Sequence, residues 1–389
     1  MLEGIKVLDI GNNIAGPCVA TILAGLQADV LKIERPVVGD DSRAAPPYLG
    51  RFGVTDRRSN DPSADEIAVA FLKRNRGKQS KALDLRDEHD ALEFWKLIDD
   101  ADVLVENFRP GTLARLGFGF EQLQQRNPRL IVCSVTGFGQ SGPLANWSAY
   151  DTVVRALTGL MGGKKLSAES NGPIALSDWT GALYGAISVL GALHQRNQTG
   201  EGTLLDISML EASLSLAWES NLDLIERAEN TPGGPGFTRR VAPWNTYEAK
   251  DGLVFICAYT DRQWANLSER LEIIDPRFAG REGRLDNWEA LDGVIESWTR
   301  SRLRWDIARD LQEAGVPASP VLKPSEVAGS PQVEARGALV PLRHPNPDIG
   351  THDGGEADLL SAEFPVWAAG YGHMHYPIPA PELGSADTK

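Results

Sequence analysis

An aspartate at the head of a long apolar run is the residue of this sequence best placed for covalent chemistry. Asp178 stands in ALSDWTGALYGA (175–186), and the apolar spacing predicts a helix from Asp178 to Asn197 that stops at the glycines of QTGEG. A carboxylate in that position is held ionised by the helix dipole and the free amides. An ionised carboxylate is what attack on a thioester requires. Spacing alone favours the plainer role of N-cap.

Cations form the second constellation. Lys73, Arg74, Arg76, Lys78 and Lys81 cluster within FLKRNRGKQSK, and Arg35, Arg86, Arg109 and Arg115 recur at or near other strand ends. Singly, each reads as a solvated charge. As a group in an acidic chain, they predict an anionic ligand with several phosphates. The turn GNNIAGP (11–17) occupies the place of a dinucleotide-binding loop but lacks GxGxxG, and Pro17 has no amide to offer a phosphate. Nicotinamide nucleotides are disfavoured, while an anion on the helix N-terminus and a tight structural turn both stay open. Tyr150-Asp151 follows the Gly-rich TGFGQSGP (136–143), at the carboxyl end of an expected strand. His373 and His375 lack the carboxylates of a metal site and read as surface residues, so no metal is expected.

These groups need a scaffold. Ile5–Ile10, Asp29–Glu34, Ala82–Leu85, Asp102–Glu106, Leu130–Val135 and Leu204–Ile207 read as strands, with helical patterns between them. That alternation predicts an α/β fold around a parallel sheet with right-handed crossovers. After TPGGPG (231–236), a hairpin turning at Lys250-Asp251-Gly252 and three helices predict a smaller domain. The expected division is 1–224 for a large domain, 225–325 for the small one, and 326–389 for a return to the first.

The net charge of −14 over 389 residues argues against a nucleic-acid surface. No signal-peptide pattern opens the chain, and Ala182–Leu193, the most apolar stretch, is too short to span a bilayer. Cys18, Cys133 and Cys257 form neither a disulfide framework nor a metal spacing. A cytoplasmic location away from membranes is expected.

Together, GIKVLDI (4–10) with AGP (15–17), ADVLKIERP (28–36) with GDDSR (39–43), NRGK (75–78), ALDLR (82–86), ADVLVENFRPG (101–111), NPRLIVCSVTGFGQSGP (127–143), ALSDWTGALYGA and EAGVPASPV (313–321) resemble the family III CoA-transferases. Formyl-CoA:oxalate and carnitine CoA-transferases typify that family, and the likeness runs in order along almost the whole chain. It implies a Rossmann-like large domain with a parallel sheet and a smaller α+β domain, in a homodimer of interlocked rings. It also implies an enzyme whose substrates are coenzyme A thioesters and free carboxylic acids, with no permanently bound cofactor. Asp178 falls on the family's nucleophile, which carries the acyl group as a mixed anhydride and then CoA as an aspartyl thioester. The family's CoA-binding positions fall at Ile14, Ala15, Arg35, Leu83, Arg86, Asn107, Arg109, Arg115, Tyr150 and Asp151.

Some departures matter. Ser148 stands where some members carry a lysine, and GGPGFTRRVAPWNTY (233–247) lacks the four-glycine run that covers the formyl-CoA site. Oxalate is therefore not implied as the acceptor, and succinyl-CoA is the first donor to try. The 2-methylacyl-CoA racemases share this fold and aspartate but use a histidine that would fall at Tyr150. A tyrosine with a pKa of about 10 is a poor base near neutrality, which ranks transfer above racemisation. A CoA-binding protein without transfer chemistry would leave the match around Asp178 unexplained.

Overall fold

The computed structural model describes residues 1–51, 53–61, 65–161, 174–219, 241–349, 359–370 and 372–387. Among them, six parallel strands share one sheet: β1 (Lys6–Asp9), β2 (Asp29–Glu34), β3 (Lys78–Ala82), β4 (Val103–Glu106), β5 (Ile131–Thr136) and β6 (Leu204–Ser208). Their order is 3-2-1-4-5-6, with Val7 in register with Val30 on one side and Val103 on the other. Side chains of a strand point alternately to opposite faces. Val7, Val103, Ile131 and Cys133 therefore pack with helix α1 (Ala15–Gly25), while Leu8, Leu104 and Val132 pack with Phe94 and Ile98 of α2 (Glu88–Asp100). The fold is mixed α/β, and the sheet core is apolar on both faces.

The third strand differs from the expected Ala82–Leu85, lying four residues earlier. Lys78-Gln79-Ser80-Lys81 looks too polar for a sheet, yet Lys78 and Ser80 are fully buried. Each has a buried partner. Ser80 Oγ donates to Glu34 Oε1 at 2.6 Å. Lys78 Nζ donates to Asp9 Oδ2, Pro17 O and Asn75 Oδ1, each at 2.8 Å. Lys32 Nζ reaches Gly11 O at 2.8 Å, Asp40 Oδ2 at 2.9 Å and Asp9 Oδ2 at 3.4 Å. Burial pushes the Asp9 carboxyl up, but the two lysines outweigh it and hold the group below the ordinary aspartate range.

The same contacts disperse the basic cluster, which does not meet a single anion. Lys78 serves Asp9, Lys81 pairs with Glu93 at 2.8 Å, and the Arg76 guanidinium stacks 4.1 Å from the Tyr376 ring centroid. Of the five, Arg74 lines the cleft described below.

The chain divides into two compact units, Met1–Leu222 with Gly337–Lys389, and Asp223–Arg336. Within the second, β7 (Trp244–Ala249), β8 (Gly252–Cys257) and β9 (Ala318–Pro320) form an antiparallel sheet. Val254, Ile256, Trp264, Leu267, Leu291 and Leu311 make its core. The hairpin turns at Lys250 and Asp251, as the sequence suggests. TPGGPG (231–236) lies outside the described residues.

Breaking the buried pair tests its weight. Lys78→Met leaves Asp9 with one cation and takes the donor from Pro17 O and Asn75. Removing one member of a buried ion pair costs about 3–5 kcal/mol, so the urea midpoint should fall markedly. Lys81→Met, at a partly exposed pair, should change it little. Equal effects would show that the Asp9 network is not the stronger constraint.

Candidate active site

Strand order reverses between β1 and β4, and a cleft of about 590 Å³ opens beyond their carboxyl ends. Open α/β sheets bind ligands at such a switch point because the loops diverge there. Three segments build its walls.

The first is the turn between β1 and α1. Asn12 N donates to Asn107 Oδ1 at 2.7 Å, and Asn107 Nδ2 returns a bond to Asn12 O at 2.8 Å. Asn13 holds a left-handed φ of 65°, and its amide donates to Asp40 Oδ1 at 3.1 Å. A Cβ on Gly16 would sit 3.1 Å from Asn107 Cγ, so the glycine permits this close approach. Pro17 is the third residue of α1, where its missing amide costs no helical bond. No side chain caps α1, whose first turn faces the cleft at Ala15. Such a terminus suits an anion or a polarised carbonyl.

The second wall follows β4. Phe108 N donates to Glu106 Oε2 at 2.7 Å, fixing the turn that presents Asn107 and Arg109. Burial pushes the Glu106 carboxyl up to about 7, against the pull of Ser134 and the Phe108 amide. Arg109 donates to Ser148 Oγ, so this serine orients an arginine.

The third wall is the start of α4 (Leu176–Thr199). Asp178 is not its N-cap, as spacing suggests: Ala175 holds that position and Asp178 is the third helical residue. The missing cap comes from α3 (Asp151–Leu157), whose Asp151 Oδ1 accepts from Ser177 N at 2.6 Å. That group is remote in sequence, so local pattern could not reveal it. Asp178 is also not held firmly ionised. Burial pushes its carboxyl up, the like charge of Asp151 adds to this, and Arg74 opposes both, leaving it at about 7.

Ile14, Ala15, Asn107, Arg109, Tyr150 and Asp151 thus line one cleft with Asp178. Arg35, Leu83 and Arg86 line a neighbouring hollow of about 310 Å³ that shares Asn12 and Phe108 with the cleft. There Arg35 pairs with Asp41, and Arg86 with Asp84 at 2.9 Å. Arg115 lines neither space, and its exposed guanidinium donates to Thr112 Oγ1 at 2.8 Å. No local pattern singles out Thr136, whose buried hydroxyl lines the cleft without a hydrogen-bond partner among the described residues. Arg155 also lines the cleft and pairs with Asp151 at 3.4 Å; its spacing of four residues from that aspartate was the available signal.

Residues 2–385 match the model of CoA-transferase family III, and the chain belongs to that family. It is 33% identical over 397 residues to an acetyl-CoA:oxalate CoA-transferase of Acetobacter aceti, covering 98% of this chain and 92% of the relative. It is 32% identical over 358 residues to a succinyl-CoA:mesaconate CoA-transferase of Haloarcula hispanica, covering 89% and 87%. The crystal structure of a CAIB/BAIF family protein from Brucella suis superposes with a TM-score of 0.79 at 28% identity, covering 100% of this chain and 97% of that one. The protein is an enzyme that transfers coenzyme A.

The two neighbouring carboxyls give a titration test. In protein labelled with 13C at aspartate carboxyls, Asp178 should titrate with a midpoint near 7. Asp151→Asn keeps an oxygen for the Ser177 amide but removes the like charge, so the midpoint should move to lower pH. An unchanged midpoint would assign the whole shift to burial.

Proposed function

We propose that Asp178 carries coenzyme A from an acyl-CoA to a free carboxylic acid. The observation supporting this reading is a carboxylate on the first turn of α4, inside a cleft whose other walls offer amides and cations. An Asp178 oxygen attacks the thioester carbon, the C–S bond breaks, and CoA leaves as thiolate from a mixed anhydride. The thiolate then attacks the aspartyl carbonyl, releasing the donor acid and leaving an aspartyl-CoA thioester. The incoming carboxylate attacks the aspartyl carbonyl, the C–S bond breaks again, and CoA leaves as thiolate from a second mixed anhydride. The thiolate attacks its acyl carbon, releasing the new acyl-CoA and the Asp178 carboxylate. Charge and atoms balance without an outside oxidant or proton donor.

Burial serves this chemistry in two ways. A poorly hydrated carboxylate is a better nucleophile than one in water, and a closed site protects the anhydride from hydrolysis. Its cost is that burial lowers the ionised fraction of Asp178 near neutrality.

For CoA, we assign the nucleotide end to the hollow of Arg35, Leu83 and Arg86, and the chain leading to the thioester to Ile14, Ala15, Asn107 and Arg109. Arg35 and Arg86 pair with Asp41 and Asp84, and Arg35 also makes a long bond of 3.4 Å to Gly39 O; ion pairs as exposed as these contribute little and can yield to a phosphate. Tyr150, 71% exposed, and Asp151 border the acyl end, and Arg115 would add an outer phosphate contact. A homodimer of interlocked rings is supported by Trp179, Leu183, Ile187 and Leu190, an exposed apolar stripe along α4. No helix among the described residues is long and apolar enough to cross a membrane, and we assign the enzyme to the cytoplasm.

Acyl-CoA supplied without acceptor should leave a hydroxylamine-sensitive mass increase on the Asp178 peptide. Asp178→Asn should lose that adduct and at least ~10³-fold in turnover while still binding CoA. In heavy water no deuterium should enter the 2-carbon of a 2-methylacyl-CoA. Rapid uptake without an acceptor would instead favour racemisation.

The cation assignments are tested separately. Arg35→Ala or Arg86→Ala should weaken CoA binding on the order of tenfold and leave a pantetheine thioester, which lacks the nucleotide phosphates, little affected. Equal losses for both ligands would make these arginines structural.

A further inference from the structure

Arg74 is the member of the basic segment that lines the cleft with its charge unpaired among the described residues; Lys73, likewise unpaired there, does not line it. It ends the short helix Val69–Arg74, and its backbone is tied down from two sides. Thr21 Oγ1 donates to its carbonyl oxygen, and the next residue, Asn75, is fully buried with Lys78 Nζ on its Oδ1 at 2.8 Å. The guanidinium is therefore presented from a rigid base. Among the described residues, no hydrogen bond or ion pair engages it. It lines the cleft together with Asp178, and its positive field is felt at that carboxylate. Arg35 and Arg86 line the other hollow, so Arg74 belongs to the acyl end of the cleft rather than the nucleotide end.

We infer that Arg74 is a specificity-determining residue that binds a second carboxylate on the acid being transferred, making dicarboxylic acids the substrate class. The inference rests on the reading of Asp178 as nucleophile. A half-buried guanidinium without a fixed partner gains most from a ligand carboxylate, because the planar fork and the two oxygens match. A monocarboxylate of the same length would leave that cation unpaired beside an apolar methyl, at the cost of its desolvation. Selection of this kind comes from the penalty on the wrong acid as much as from attraction of the right one. The cleft also carries Asp41, Asp151 and Asp178 against Arg109 and Arg155, so without Arg74 its lining has one carboxylate more than it has cations.

The test compares succinate with butyrate, which has a methyl in place of one carboxylate, as acceptors from one acyl-CoA donor. The wild type should favour succinate in kcat/KM by at least ~10-fold. Arg74→Gln should lower kcat/KM for succinate by about 10- to 100-fold, mainly through KM, and change butyrate by less than ~3-fold. Arg74→Lys, which keeps charge but not the fork, should fall between. Formation of the Asp178 adduct from butyryl-CoA should persist in both variants. Equal losses for the two acids, with the pH profile displaced upward, would show that Arg74 acts only through Asp178 and overturn the proposal. Absence of preference in the wild type would overturn it even if Arg74→Gln fails to fold. Absence of any adduct in the wild type would instead remove the underlying assignment of Asp178.

Discussion

Asp9 lies beneath the floor of the cleft with no access to water, and the arrangement of the loops above it depends on how that charge is compensated. Two lysines from neighbouring strands converge on it, Lys32 from β2 and Lys78 from β3. Each gives one further donor to the β1–α1 segment, Lys32 to Gly11 O and Lys78 to Pro17 O. The charge cluster thus ties three strands to the turn that begins the ligand site. A buried pair of this kind adds little or nothing to stability against an apolar alternative, but its directional bonds constrain the backbone path. Asp40 extends the network by accepting from Asn13 N, and Asn107 closes it from β4. The fold thereby sets the turn's conformation before any substrate arrives.

The cleft concentrates opposite signs. Burial disfavours the Asp178 charge, and Asp151 stands close enough that its own charge adds to the effect. The division of labour follows from which amide each carboxylate reaches. Asp151 is committed to capping α4 through Ser177 N, which leaves Asp178 one turn position further along without a structural duty. Arg74 moderates the repulsion without forming an ion pair. A closer cation would hold Asp178 ionised but occupy the oxygens that must react.

Helix α4 reaches this position through close packing. A Cβ on Gly185 would approach Val19 Cγ2 to 2.8 Å and Cys133 Sγ to 3.3 Å, so the helix lies nearer to α1 and β5 than a larger residue permits. Its opposite side is the exposed apolar stripe at Trp179, Leu183, Ile187 and Leu190. One helix therefore carries the candidate nucleophile, a core seam and an uncovered apolar face.

Much of this was legible in the amino-acid sequence. Strands β1, β2, β4 and β5 appear as short apolar runs because both faces of a parallel sheet are buried, while β6 is a shorter run at the partly exposed edge. The hairpin of the second unit was visible in its turn residues. The order of family motifs indicated CoA transfer, and Asp178 is the nucleophile proposed from it. By contrast, β3 was displaced because a strand whose inward residues are Lys78 and Ser80 has no apolar signal; only the buried carboxylates of Asp9 and Glu34 make it a strand. The capping of α4, the raised Asp178 carboxyl and the separation of Arg74 from its basic neighbours were likewise decided in three dimensions. Residue type and local spacing set which groups can ionise, cap or alternate. Their charge state and their partners depend on desolvation and on contacts across distant segments, which exist only after the chain has folded.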